Sequence, residues 1–280
     1  MSDAWSHPEI LNLVDLALAE DIGGGDITTE CCVGEDRMAA GRYFAREDLI
    51  VAGIELLPVV YERFGDTSVW IDLKCESGDR VKNGDPVADV HGKARTLLTC
   101  ERVCLNFLQR LSGIATQAQK YVRAVGGTRA RVLDTRKTTP GLRRLEKLAS
   151  ASGGVTNHRL GLYDAILIKN NHIAAAGGIT EAIGKARRLE KMIEIEVRTP
   201  EEVDEALAAG AQHLLLDNQT PDQAIELIAR IGGRASVELS GKITLDTVRM
   251  YAQAGADYVS CGAITHSVRA ADFNFRLELL

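Results

Sequence analysis

After Gly126-Gly127 the chain settles into a beat that few folds can accommodate. Apolar runs recur at Arg131 to Leu133, Ala165 to Ile168, Ile193 to Val197, His213 to Leu216, Ala235 to Leu239 and Tyr258 to Ser260, with helical periodicity between most of them. Short runs of this kind read as strands buried on both faces, and strand, helix, strand repeated builds a parallel sheet with crossover helices. Two steps echo each other. Val203-Asp204-Glu205-Ala206-Leu207-Ala208-Ala209-Gly210-Ala211 and Val248-Arg249-Met250-Tyr251-Ala252-Gln253-Ala254-Gly255-Ala256 both run a helix into Ala-Gly-Ala before the next strand. The glycine stands where a helix C-terminus favours it, so the repeating unit is one βα step.

The first part of the chain is different material. Residues 7 to 20 carry apolar positions at helical spacing, with Ser6 as the expected cap and Pro8 and Glu9 in the first turn. Gly23-Gly24-Gly25 ends that helix, and the following Asp26-Ile27-Thr28-Thr29 reads as a flexible loop, since no strand precedes it and no lysine-serine pair follows. Met38 to Ala45, Leu49 to Ala52, Val69 to Lys74 and Val87 to Val90 read as short strands around a helix from Ile54 to Phe64. Gly78 to Val87, with Asn83-Gly84 in its middle, is expected to be an ordinary hairpin. From Leu97 to Ala124 the period is helical again.

Composition narrows the setting. At 280 residues and 45% apolar content the chain can bury a large core as one α/β domain or two. No stretch approaches the roughly 18 apolar residues of a membrane span, and the acids within the first twenty residues argue against a signal peptide, so a cytoplasmic protein without a membrane association is expected. Six cysteines include no C-x-x-C pair; Cys100 and Cys104 could share a helix face and are expected to be buried reduced thiols. The formal net charge is −6, yet cations outnumber acids between Asp134 and His172. A local positive cluster in an acidic chain implies a small anionic guest rather than a nucleic acid.

In a barrel of parallel strands, functional groups collect at the carboxyl ends. Those ends here offer Asp134, Arg136 and Lys137, then Lys169, Glu196, Asp217-Asn218, Ser240-Gly241 and Gly262. The alternation Glu194-Ile195-Glu196-Val197 places both glutamates on one strand face. Glu196 and Asp217 are hard oxygen ligands suited to Mg2+ shared with phosphates. Ser240-Gly241 and Gly262-Ala263, after the last two strands, suit a backbone-amide phosphate site. Arg136, Lys137, His158, Arg159 and Lys169 are enough cations to hold carboxylates and a leaving pyrophosphate together. The site asks for a phosphorylated, Mg2+-bound substrate and a second anionic one.

The strings Asp134-Thr135-Arg136-Lys137-Thr138-Thr139-Pro140-Gly141-Leu142-Arg143, Asn157-His158-Arg159-Leu160-Gly161-Leu162-Tyr163-Asp164, Ile168-Lys169, Leu216-Asp217-Asn218 and Gly262-Ala263-Ile264-Thr265-His266-Ser267 resemble those of the quinolinate phosphoribosyltransferases, or carboxylating nicotinate-nucleotide pyrophosphorylases. Gly25-Asp26-Ile27-Thr28-Thr29, Glu101-Arg102 and Leu111-Ser112-Gly113-Ile114-Ala115-Thr116 match as well. The resemblance implies an N-terminal α/β sandwich over 1–107, joined by a returning tail at 266–280, and an open seven-stranded α/β (TIM-like) barrel over 108–265. It implies a homodimer whose sites borrow Arg102 from the neighbouring subunit.

In this resemblance quinolinate's carboxylates are held by Arg102, Arg136, His158, Arg159 and Lys169, with Lys137 also facing the pyrophosphate of phosphoribosyl pyrophosphate. Glu196 and Asp217 hold Mg2+ and the ribose hydroxyls; Ser240, Gly241, Gly262 and, near the phosphate end, His266 meet the 5-phosphate. Lys137, Lys169, Glu196 and Asp217 are the expected catalytic set. The chain departs from the family's usual pattern at Asn170, Arg198 and Lys242. Other readings are a sister transferase of the same fold taking another acid, of the molybdate-operon type, or a non-catalytic phosphosugar sensor. The intact Glu196, Asp217 and Lys137 weigh against a sensor.

Overall fold

The computed structural model describes residues 3–280, which divide into two compact units. The first comprises the chain up to Gln119, Thr139–Gly154 and Val268–Leu280; the second comprises Lys120–Thr138 and Val155–Ser267. Among the described residues no helix is long and apolar enough to cross a membrane.

The first unit opens with helix α1 (Pro8–Ile22), and its cap is His7, whose Nδ1 accepts the Glu9 N–H at 3.2 Å. Ser6, the expected cap, lies one residue too early. Pro8 occupies the first helical position and confines the residue before it to extended backbone, the conformation a cap requires. The glycine run ends α1, but the loop expected after it is a second helix, α2 (Ile27–Cys32), capped by Asp26 Oδ1 accepting the Thr29 N–H at 2.9 Å.

Next come β1 (Met38–Ala45), β2 (Leu49–Ile50), α3 (Leu56–Phe64), β3 (Trp70–Leu73), β4 (Arg80–Val81) and β5 (Pro86–Lys93), close to the expected runs. The stretch 78–87 is a turn without being a hairpin. The Asp85 N–H reaches Lys82 O at 3.1 Å and Gly84 takes φ 92°, yet β4 pairs with β2 while β5 pairs with β1 and β3. Turn chemistry specifies the reversal, not which strand the arriving segment will join.

Helix α4 (Ala94–Ala124) supplies much of the first unit's core through Leu97, Cys100, Cys104, Leu108, Leu111, Ala115 and Ala118, all buried at helical spacing. Each fully buried leucine contributes about 1.5–3 kcal/mol relative to exposure. Cys100 and Cys104 are free thiols on that face, and burial pushes both up, Cys104 to about 12. The later helix α5 (Arg143–Ser152) also belongs to this unit. The fully buried Glu146 fixes it, accepting from Arg110 Nη2 at 2.6 Å and from the Thr139 N–H at 3.2 Å.

The second unit contains β6 (Arg131–Leu133), β7 (Ile166–Ile168), α6 (Asn170–Ala176), α7 (Ile179–Ala186), β8 (Ile193–Val197), α8 (Pro200–Ala208), β9 (His213–Asp217), α9 (Pro221–Ile231), β10 (Ser236–Ser240), α10 (Val248–Gln253), β11 (Tyr258–Ser260) and α11 (Ala263–His266). The strands form one parallel sheet in the order β6-β11-β10-β9-β8-β7, and the edges β6 and β7 do not pair, so the barrel is open. Six strands form where seven are expected. A seventh place, beside β6, is held by a single parallel bridge between Leu133 and Thr156, because Asn157 and His158 turn aside to bond Asp134. Gly210 and Gly255, the glycines of the two echoing steps, take φ 78° and 98° as their helices end.

The tail returns as β12 (Phe273–Leu279), antiparallel to β1, completing a four-stranded sheet in the order β12-β1-β5-β3. Gly113 lets α4 meet this tail: a Cβ there would lie 2.3 Å from Arg269 O and 3.2 Å from Ala270 Cα. Those neighbours are backbone and cannot swing away. Gly113→Ala should therefore destabilise the protein by about 1–3 kcal/mol, measured by denaturant unfolding, with the tail becoming the first site of limited proteolysis.

Candidate active site

The parallel register brings most of the expected residues to one rim of the barrel. Ser240 is the direct partner of Asp217, and the Asn218 N–H bonds Ser240 O at 2.8 Å. Asn218 takes φ 56°, a conformation its short polar side chain tolerates, and its Nδ2 donates to Asp217 Oδ2 at 2.6 Å. Asp217 is thereby held at the rim, half-buried. Gly241, at φ 107°, lies against this turn so closely that a Cβ would be 2.5 Å from Asn218 Oδ1 and 2.7 Å from Asn218 N. Only glycine fits.

Glu196, at the end of β8, is buried to 4% exposure. Its Oε1 takes two donors, Asn170 Nδ2 at 2.8 Å and Arg198 Nη2 at 2.6 Å. Two of the three departures noted in the sequence thus converge on one oxygen. Glu196 Oε2 has no hydrogen-bond partner among the described residues, and Asp217 stands on the neighbouring strand β9. Two hard oxygen donors on adjacent strand ends fit a Mg2+ that keeps several waters.

The cationic side of the rim hangs from Asp134, which is fully buried. Its Oδ1 accepts the His158 N–H at 2.8 Å and its Oδ2 accepts from Asn157 Nδ2 at 2.7 Å. One residue after His158, Arg159 is half-buried with Nη1 on Ala165 O at 3.1 Å. Burial, and after it the charge of Arg136, pushes the Arg159 guanidinium down from its ordinary value. The buried Nε of Arg136 itself lacks a hydrogen-bond acceptor, though the residue has interactions elsewhere. Two guanidiniums in mutual repulsion with a buried donor between strand ends make a place where an anion is favoured.

Lys169 follows β7 and is exposed, its N–H accepted by His172 Nδ1 at 3.0 Å. Lys137 is also exposed, and its carbonyl accepts from Thr265 Oγ1 at 2.8 Å, tying the segment after β6 to α11. Gly262 lies between them: a Cβ there would come 3.0 Å from the His266 ring and 3.1 Å from Lys137 Cδ. Arg102 lies apart from this set in chain terms, exposed on α4 in the first unit.

His158 is anchored more deeply than an anion-binding side chain needs to be. Its Nε2 stands 3.2 Å from Glu194 Oε2 and 3.4 Å from Glu238 Oε2, and its Nδ1 accepts the Arg159 N–H at 2.7 Å. Burial opposes charge on the ring and the bonds to Glu194 and Glu238 favour it, a net push upward; the Arg159 N–H on Nδ1 opposes a second proton and holds the ring as the Nε2–H tautomer. Burial likewise pushes Glu194 up. Glu238 and the anchoring role of Asp134 were not expected from the sequence. The signal for Glu238 was present in Val237-Glu238-Leu239-Ser240, which alternates as Glu194-Ile195-Glu196-Val197 does.

Residues 26–112 match the family description "Quinolinate phosphoribosyl transferase, N-terminal domain", and residues 114–276 match "Quinolinate phosphoribosyl transferase, C-terminal domain". A Bacillus subtilis protein named probable nicotinate-nucleotide pyrophosphorylase [carboxylating] is 40% identical over 98% of this chain and 95% of its own length. An Arabidopsis thaliana chloroplastic protein named nicotinate-nucleotide pyrophosphorylase [carboxylating] is 39% identical over 98% of this chain and 84% of its own. Among solved structures, NadC from Streptococcus pyogenes superposes with a TM-score of 0.93 at 41% identity, covering 97% of both chains.

The third departure, Lys242, takes φ 52° directly after Gly241. A lysine held there carries a cost that glycine would not, about 1 kcal/mol. Lys242→Gly should raise the melting temperature by about 2–4 °C for a chain of this size, read by calorimetry; an unchanged or lowered midpoint would mean that contacts of the lysine outweigh its strain.

Proposed function

The chain belongs to the quinolinate phosphoribosyltransferase family, and from that premise we infer that it transfers the phosphoribosyl group of phosphoribosyl pyrophosphate to quinolinate with decarboxylation. The products are nicotinate mononucleotide, pyrophosphate and CO2, a step of NAD biosynthesis. The observation that carries this reading to the residues is that one buried carboxylate, Asp134, ties together the segments bearing Arg136 and Arg159, whose charges act on one another where a dicarboxylate would be held. Lys169 extends that grip, and Lys137, on the α11 side, is placed for the leaving pyrophosphate.

On the next two strands after β7, Glu196 and Asp217 are the carboxylates for Mg2+ and the ribose hydroxyls. When bound, Mg2+ stabilises the negative charge of the departing pyrophosphate. Arg198 already neutralises one oxygen of Glu196, so this chain should hold the ion through the other and more weakly than an unpaired carboxylate would. The loops at Ser240-Gly241 and Gly262 offer backbone amides to the 5-phosphate, with His266 beside Gly262.

Loss of pyrophosphate leaves positive charge on the ribose, and the quinolinate nitrogen attacks the anomeric carbon. Lys137 lowers the barrier by being in place before charge develops on the leaving group, while Arg136 stays with the carboxylates of the acid. Arg159 and Lys169 orient the acid so that its nitrogen faces the ribose. The pyridinium formed draws the electrons of the adjacent carboxylate bond, CO2 departs, and the electron pair left on that ring carbon takes a proton from solvent to give nicotinate mononucleotide. The substrate is its own electron sink, so no organic cofactor is called for. We place the enzyme in the cytoplasm, working as a homodimer in which Arg102 comes from the neighbouring copy to complete the carboxylate grip.

Two experiments test this. Purified protein with quinolinate, phosphoribosyl pyrophosphate and Mg2+ should release CO2 and nicotinate mononucleotide in equal amounts, EDTA should stop the reaction, and added Mg2+ should restore it. Activity that survives EDTA would remove the metal role of Glu196 and Asp217; no product from folded protein would turn the search to other acids. Separately, Arg102→Ala and Lys169→Ala proteins, each nearly inactive, should regain up to about a quarter of wild-type activity when their subunits are exchanged, because half the sites of a mixed dimer are intact if Arg102 acts across the interface. Demonstrated exchange without recovery would place both residues in one subunit's site.

A further inference from the structure

Two buried glutamates, Glu194 and Glu238, are not used by the reaction described above. They lie in mid-strand on β8 and β10, two residues before Glu196 and Ser240, and so one layer below the rim on the same strand faces. They are 5% and 4% exposed. Two buried carboxylates this close to one another cost stability unless a cation or a shared proton lies between them. What lies between them is His158 Nε2, at 3.2 Å from Glu194 and 3.4 Å from Glu238.

The other ring nitrogen fixes where the proton is. Nδ1 accepts the Arg159 N–H at 2.7 Å, which it can do only when it carries no proton itself. In that arrangement the ring's proton is on Nε2, pointing into the carboxylate pair. The imidazole therefore works as a strut: one end is seated in the barrel interior on two strands, and the other supports the backbone of Arg159. Asp134 holds the same segment from a third side, through the His158 N–H.

We propose that Glu194 and Glu238 are positioning residues for the acid substrate, clamping His158 Nε2–H so that the ring sets the height and direction of Arg159 at the rim. This rests on the reading of Arg159 as part of the carboxylate grip. The two glutamates touch no substrate; their effect passes through His158. Removing the clamp should loosen the grip on quinolinate and leave the phosphoribosyl end as it was: Glu196 and Ser240 follow on the same strands, but the side-chain bonds of the two glutamates run to His158 and not to them.

The test uses the full-length enzyme and the variants Glu238→Gln, Glu194→Gln and the double variant, with Glu238→Asp as a charge-conserving control should a glutamine variant fold poorly. Glu238→Gln should raise KM for quinolinate by about ten-fold, the scale of one charge-assisted hydrogen bond, while KM for phosphoribosyl pyrophosphate stays within about two-fold. Imidazole 15N shifts of selectively labelled protein, with the His158 signals assigned from a His158→Asn sample, should show the wild-type proton on Nε2 and a changed protonation pattern in the double variant. A role in packing alone would lower the melting temperature without separating the two KM values or moving the ring signals, and that result would overturn the proposal. If the wild-type enzyme does not turn over quinolinate, the reading of the reaction fails first, and the ring spectra of the free protein still decide the clamp: signals indifferent to both substitutions would remove it.

Discussion

Asp134 is the fixed point of the second unit. A carboxylate with no exposure must have its lone pairs occupied, and here the occupants are a backbone N–H and a side-chain amide from Asn157-His158. The residue directly follows β6, so the same buried group joins the strand leading into Arg136 and Lys137 to the segment leading into Arg159. Two stretches of cation that are more than twenty residues apart in the chain are thereby given one origin. The charge of Arg136 acts on Arg159 across a backbone that this one carboxylate holds on both sides.

The barrel itself was legible because parallel strands buried on both faces leave a plain apolar mark, and Arg131–Leu133, Ile193–Val197 and Tyr258–Ser260 form over the runs that announce them. Strand ends were legible for the same reason: once the runs are placed, the residue after each is at the rim. What stayed hidden was contact at a distance. Pairing of β4 with β2 rather than β5, and the meeting of Glu238 with Glu194 and His158, depend on sheet order and stagger, which no local pattern encodes. The alternation around Glu238 does not single it out, since a lone acid within a strand carries no mark of the partner it will meet. The His7 cap, by contrast, follows from a local rule, the constraint that Pro8 puts on its neighbour.

The departures at Asn170 and Arg198 gain physical meaning together. They stand on either side of Glu196, after β7 and after β8, and both donate to its Oε1. A carboxylate so placed is oriented as well as partly neutralised: one oxygen is committed to the protein and the other is left facing away from those donors. For the Mg2+ role proposed above, that would mean a weaker pull on the ion with one oxygen left to meet it. Lys242 is a different matter, a backbone compromise beside the glycine that packs on Asn218.

The pairing of β12 with β1 sets a timetable as well as a shape. Ala39 meets Leu279 in the completed sheet, so on the ribosome the early strand emerges long before its neighbour has been translated, and the whole second unit is made in the interval. Pairings across such a sequence separation form late and slowly. Through that interval β1 presents an unsatisfied edge, the kind of surface to which a chaperone or another nascent copy can add a strand.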